Sequence, residues 1–185
     1  MSARLAAMAL GALLLAGPAA HGAGIEDFFG TWRGSQVSAP TGLEFQAGDL
    51  DIVIEPYERG FHMRWTTLDR AGAEAGFIAQ PAEASFSETE RPGVYEYDPG
   101  GGSLLTSLFA APATGNPLEG ETLLWARLEE AALVVYSLSV DPGGGFDLNR
   151  YARTLSDDGM VVHYERRIEG REPVSIEGRL ERAGD

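Results

Sequence analysis

The chain has no cysteine, no lysine and only three histidines among its 185 residues. The first absence excludes disulfides, thiolate nucleophiles, lipobox acylation and zinc sites built on Cys/His spacing. The second leaves 14 arginines to face 28 acids, a formal charge of −14. That balance offers no basic face for a nucleic acid and disfavours docking on anionic lipid. Chemical motifs are equally scarce. There is no G-x-S-x-G elbow and no D-x-D-x-D-G calcium loop. The runs "PGGGS" and "PGGGF" lack the Lys-Ser/Thr flank or the helix that a phosphate cradle needs, so they read as turns. Glu129-Glu130 and Asp157-Asp158 are sequence neighbours that point apart or share a turn, which makes them solvated charge. A glycosidase-type pair drawn from distant strands stays open. The expectation is a protein that is not an enzyme, with no catalytic residue, no metal and no cofactor.

What is present begins with a leader. Arg4, the apolar "LAAMALGALLLAG" and the small-x-small Ala20-His21-Gly22 read as a cleaved signal peptide over residues 1–22. The apolar run Leu5–Gly17 is shorter than the ~20 residues of a spanning helix. The expected location is therefore periplasmic or secreted, with no membrane span in the mature chain. Residues 23–185, 163 in number (185 − 22), suffice for one domain with its own core. Loss of Arg4 leaves 13 arginines against 28 acids, about −15, which chiefly favours solubility.

The rest of the chain alternates with the period of strands. Ten are expected, near 31–38, 50–57, 61–68, 76–88, 93–97, 121–129, 132–140, 146–155, 160–168 and 173–182. Turn signals separate them, among them "YERG", "DPGGG", "SDDG" and "EGREP". Three turns end in Gly-Phe (Gly60-Phe61, Gly76-Phe77 and Gly145-Phe146), which predicts positive φ at those glycines. Ten short strands on hairpin-length turns make an all-β, antiparallel up-and-down meander that disposes of its edges by closing into a barrel. A β-sandwich is the alternative. The one long connection, Asp98 to Gly120, carries an apolar segment over Leu104–Ala111, a candidate cover for the barrel mouth or a docking patch.

Parity assigns faces. Phe61, Met63 and Trp65 share one side, with His62, Arg64 and Thr66 opposite. Met160, Val162, Tyr164 and Ile168 align against His163, Glu165 and Arg167. Val174, Ile176, Gly178 and Leu180 align in the last strand. Strand 132–140 is apolar on both faces. In 121–129 either Leu124/Ala126/Leu128 or Leu123/Trp125 could face inward.

One stretch carries a likeness. "FFGTWRG", and in particular Gly30-Thr31-Trp32, resembles the N-terminal Gly-x-Trp signature of calycin-type barrels, the lipocalins and their relatives. Gly30-Thr31-Trp32-Arg33-Gly34 looks most like the start of nitrobindin-type haem-binding barrels. The resemblance implies a calycin-like barrel whose floor is closed by Trp32, with an arginine near the chain end packed across it. Arg182 is the candidate and Arg179 the runner-up, because a guanidinium stacks on an indole face. A haem site does not follow, since His62 and His163 both fall on the outward face.

The functional reading is an exported, lipocalin-like protein binding a small, apolar or carboxylate-bearing molecule inside the barrel. Its candidate ligand-binding residues are Met63, Trp65, Tyr164 and Arg166. "LNRYARTL", with Arg150, Tyr151 and Arg153, becomes a cross-strand neighbour of "HYERRI" if Asp157-Asp158-Gly159 turns a hairpin. Arg166 shares the parity of Tyr164, so it can clamp a ligand carboxylate. It can equally pair with one of the many acids. The alternative function is a filled barrel, a structural or protein-interaction module without a ligand.

Overall fold

The computed structural model describes residues 23–39, 46–70, 77–99 and 115–184, with the side chains of 67–70 and 77–79 outside that description. The leader, Gly76 and the segment Leu104–Ala111 lie outside it. Ten strands follow one another: β1 (Gly30–Ser38), β2 (Ile52–Tyr57), β3 (Gly60–Arg70), β4 (Phe77–Glu88), β5 (Val94–Asp98), β6 (Leu123–Glu129), β7 (Ala132–Val140), β8 (Phe146–Ser156), β9 (Gly159–Ile168) and β10 (Val174–Arg182). Each pairs antiparallel with its sequence neighbours, and β1 pairs with β10, so the meander closes into a barrel without edges. The sandwich alternative is thereby excluded.

Alternation builds the interior. Trp32, Ile52, Ile54, Phe61, Met63, Ala84, Tyr95, Met160, Val162, Ile176 and Leu180 are buried, while most of their strand neighbours are at least partly exposed. In β6 the inward set is Leu124, Ala126 and Leu128, of which the first two are buried. In β7, Val135 pairs with the inward Tyr151, which places Leu133, Val135 and Ser137 inside. Outside, Trp125 stacks on Tyr136 with ring centres 4.9 Å apart.

One end is sealed by aromatics. Phe28, in the short 3-10 helix Ile25–Phe28, is fully buried, and the Trp32 indole N–H donates to its carbonyl at 2.9 Å. Phe61 stacks on Phe86 at 4.9 Å and meets Tyr95 edge-on at 5.2 Å. A second 3-10 helix, Ala47–Leu50, lies against β1 and β10. It can approach so closely because a β-carbon on Gly34 would coincide with the Ala47 carbonyl oxygen, and one on Gly178 would overlap the Leu50 side chain.

The Gly-Phe turns are built otherwise than the sequence predicts. Gly60 and Gly145 do not have positive φ; in their turns Glu58 (φ 45°) and Gly144 (φ 86°) take that conformation. Gly60 is required by space, since a β-carbon there would strike the Phe86 carbonyl across the β3–β4 pair.

Candidate functional site

The hairpin through Asp157-Asp158-Gly159 forms, with Tyr151 opposite Tyr164, Asn149 opposite Arg166 and Arg153 opposite Val162. The period of two then sends Asn149, Tyr151 and Arg153 of β8 inward together, facing Val162, Tyr164 and Arg166 of β9. The Tyr151 and Tyr164 rings lie 4.7 Å apart, and Trp65 of β3 meets Tyr151 edge-on at 6.3 Å. These rings wall an internal recess that also touches Asp49 and Leu50 of the second 3-10 helix, together with Arg153. Counted out to solvent it encloses about 350 Å³ of empty space, of which about 20 Å³ accepts the centre of a water-sized body. That is room for about one buried water.

Two polar systems share this interior and differ in kind. The first is closed. Arg166 donates from Nε to Asp147 Oδ1 at 3.1 Å and from Nη2 to Oδ2 at 2.6 Å, a bidentate pair. Asn149 bridges onward, donating to Asp147 at 3.4 Å and accepting the Tyr164 hydroxyl at 2.8 Å. Burial pulls the Arg166 guanidinium down, but Asp147 more than offsets it, so its pKa lies above the ordinary value. Burial, reinforced by Tyr151, holds the Tyr164 hydroxyl above its usual range.

The second system is open. Arg153 is only 1% exposed, and no carboxylate stands within ion-pair distance of it among the described residues. Its Nη1 donates to the Tyr151 carbonyl at 3.3 Å, and its guanidinium carbon stands 5.6 Å from the Tyr151 ring centre. Among the described residues its Nε–H has no acceptor, and neither has the buried Nε1–H of Trp65. Both residues line the recess. Burial lowers the Arg153 pKa to about 10, against a smaller opposing influence of Tyr151, so the group remains charged at neutral pH.

Of the four residues expected from the sequence, Trp65 and Tyr164 meet at the recess. Met63 is wholly buried, paired with Ile54 and Ala84 in the core beside it. Arg166 faces inward, engaged by Asp147 as the acid-pairing alternative had it. Sequence reasoning passed over Tyr151 and Arg153 as lining residues. The signal was present: the hairpin register that turns Tyr164 inward does the same for Tyr151 and, two residues on, for Arg153.

Both histidines face outward. His62 Nδ1 is 2.9 Å from Ser85 Oγ. His163 Nε2 lies 3.0 Å from Ser175 Oγ and 4.0 Å from Glu177 Oε1, so hydroxyl and acid meet the same ring nitrogen. A relay needs one at each nitrogen. No cluster of three metal-ligating side chains occurs among the described residues, and no helix there is long and apolar enough to cross a membrane.

The chain is thus a closed, ten-stranded, antiparallel up-and-down β-barrel with a mainly apolar internal recess that Arg153 also lines. Compared with protein-family models, curated proteins and solved structures, it matches none.

Proposed function

We propose that this is an exported, calycin-like binding barrel that takes a small, partly apolar molecule into the recess bounded by Trp65, Tyr151 and Tyr164. The observation that carries the reading is the buried indole N–H of Trp65, a residue that lines the recess, which has no acceptor among the described residues. A buried donor left unpaired costs about 1–3 kcal/mol, which a bound acceptor recovers. The calycin-like character rests on Gly30-Thr31-Trp32, with Arg182 across the indole as that likeness implies. Export rests on the leader.

Native mass spectrometry of gently purified protein, with tryptophan fluorescence titrated against short-chain amphiphiles, tests the binding. A co-purifying mass, or quenching that Trp65→Phe removes, supports it; no added mass and no quenching by any amphiphile sinks it. N-terminal sequencing of the exported protein tests the leader, with cleavage expected after Gly22.

A second reading has its own observation. Room for about one water favours the filled barrel, a module that acts through its outer surface. That reading gains if every amphiphile leaves fluorescence and melting temperature unchanged.

A further inference from the structure

Resting on the recess as the binding site, we propose that it selects a monoanion, a carboxylate on a short apolar body, with Arg153 receiving the charge and Trp65 donating beside it. The two internal arginines make the case by contrast. Where this barrel neutralises an inward guanidinium itself, it supplies Asp147 to Arg166 in a two-pronged bond. Arg153, more deeply buried, receives only a peptide carbonyl and a ring face. A charge taken out of water without a partner is strongly unfavourable, and a fold keeps one where something else provides the partner.

The unmet atoms are all of one kind. Arg153 Nε–H and Trp65 Nε1–H both donate, and neither has an acceptor among the described residues. The Tyr164 hydroxyl already spends its proton on Asn149. Asp49, the carboxylate at the rim, has Oδ2 occupied by the Gln46 N–H at 2.7 Å. The missing group is therefore an acceptor, and its charge is negative. One guanidinium matches one negative charge, which selects a carboxylate over a phosphate dianion. Leu50, Ile52, Val162 and Ile176 complete the walls, so the carboxylate should carry an apolar body. The innermost space admits about one water-sized group, enough for a carboxylate oxygen, and the body would extend toward Asp49 and Leu50.

Matched probes separate this from the general reading. Hexanoate, 1-hexanol, acetate and chloride are titrated by calorimetry and tryptophan fluorescence against wild type, Arg153→Met, Arg153→Lys and Trp65→Phe, each first checked for fold by circular dichroism. Hexanoate should bind wild type at least about tenfold more tightly than hexanol, the discrimination a charged hydrogen-bonding site makes against a probe lacking its partner. Arg153→Met should abolish that preference and leave hexanol within about twofold, whereas Arg153→Lys keeps part of it as a point charge. Trp65→Phe should weaken both hexanoate and hexanol, whose oxygens each accept from the indole, and hexanoate the more. Equal binding of hexanoate and hexanol to wild type, or undiminished hexanoate binding to folded Arg153→Met, overturns the proposal and leaves the binding barrel standing. Acetate or chloride competing as well as hexanoate overturns the apolar body. Failure of all four probes on wild type overturns the proposal, and the binding barrel falls with it only where native mass spectrometry also finds no co-purifying mass and no amphiphile quenches the tryptophan fluorescence.

Discussion

The Arg182 guanidinium lies 4.3 Å from the centre of the Trp32 ring, on residues that are direct partners across β1 and β10. It also donates to the Phe29 and Asp27 carbonyls at 2.8 and 3.0 Å. One side chain from the chain's end thus ties the floor helix, the first strand and the last strand together. Trp32→Ala should cost about 3–5 kcal/mol, the usual loss for a buried aromatic. Arg182→Ala should cost about 1–2 kcal/mol, and Arg182→Lys should recover little, because the ammonium has no plane to lay on the indole. Urea titration followed by circular dichroism measures both. If Arg182→Ala proves silent, the clasp is ornamental.

This part of the molecule was the most legible. Trp32 and Arg182 could be paired from the sequence because the likeness carried by Gly30-Thr31-Trp32 implies an arginine of the last strand across the indole, and parity with Leu180 put Arg182 ahead of Arg179. The ten strands were equally readable as strands from β-rich runs bounded by turn signals, though 132–140 is apolar on both faces and neither it nor 121–129 showed which face turns inward. The helix Ala47–Leu50 was not, because four residues hold no periodicity.

That helix makes a demand on the two glycines beneath it. Gly34→Ala forces a methyl group into the Ala47 carbonyl, and Gly178→Ala forces one into Leu50. Each should cost about 1–3 kcal/mol as overpacking. Gly34→Ala should cost more, because its obstacle is backbone and the Gly34 N–H also donates to Asp51 at 2.8 Å. Since Asp49 and Leu50 bound the recess, hydrogen exchange at 47–51 should quicken in both variants. Unchanged protection there would mean the glycines serve only the strand pairing.

Arg166 and Asp147 allow a cleaner measurement. Asp147→Asn removes the carboxylate that grips the inward Arg166 guanidinium and should cost about 2–4 kcal/mol, somewhat less than for a fully dry pair because Asp147 reaches solvent. The double change Asp147→Leu with Arg166→Met should be far milder than either single one. A double-mutant cycle by thermal melts reads the coupling, and additive single effects would show the pair to be idle.

Whether Arg166 or Arg153 held the open charge could not be read from parity, which turns both inward. The difference lies in what stands opposite. Asn149 faces Arg166, and Asp147, two residues along the same face, reaches it. Arg153 meets Val162. Pattern gives the face; only the register gives the partner.

Tyr164 predicts an alkaline response. Its folded pKa is raised above the model-peptide value of 10.0, so its contribution is complete below about pH 10 and is lost as pH rises beyond it, where the unfolded chain ionises first. Difference absorbance at 295 nm should show one phenol titrating only together with unfolding. Tyr164→Phe should remove that step, and a variant whose titration still shows a phenol ionising only with unfolding, as in wild type, would contradict the assignment.

Arg153→Met gives the last prediction, with the opposite sign to most core changes. Burial lowers the folded pKa from its ordinary value to about 10, so the penalty of holding the charge is complete below about pH 10 and fades as pH rises above it. Methionine fills a similar space without the charge and the orphaned N–H, so the ligand-free variant should be more stable at pH 7 by about 1–3 kcal/mol. The gap from wild type should narrow as pH rises through 10, and it should also narrow at pH 7 when a saturating carboxylate binds wild type alone. Melting temperatures across pH, with and without hexanoate, read all of this. A destabilised Arg153→Met at pH 7 would mean that the guanidinium is already satisfied within the barrel, and that its charge is structural.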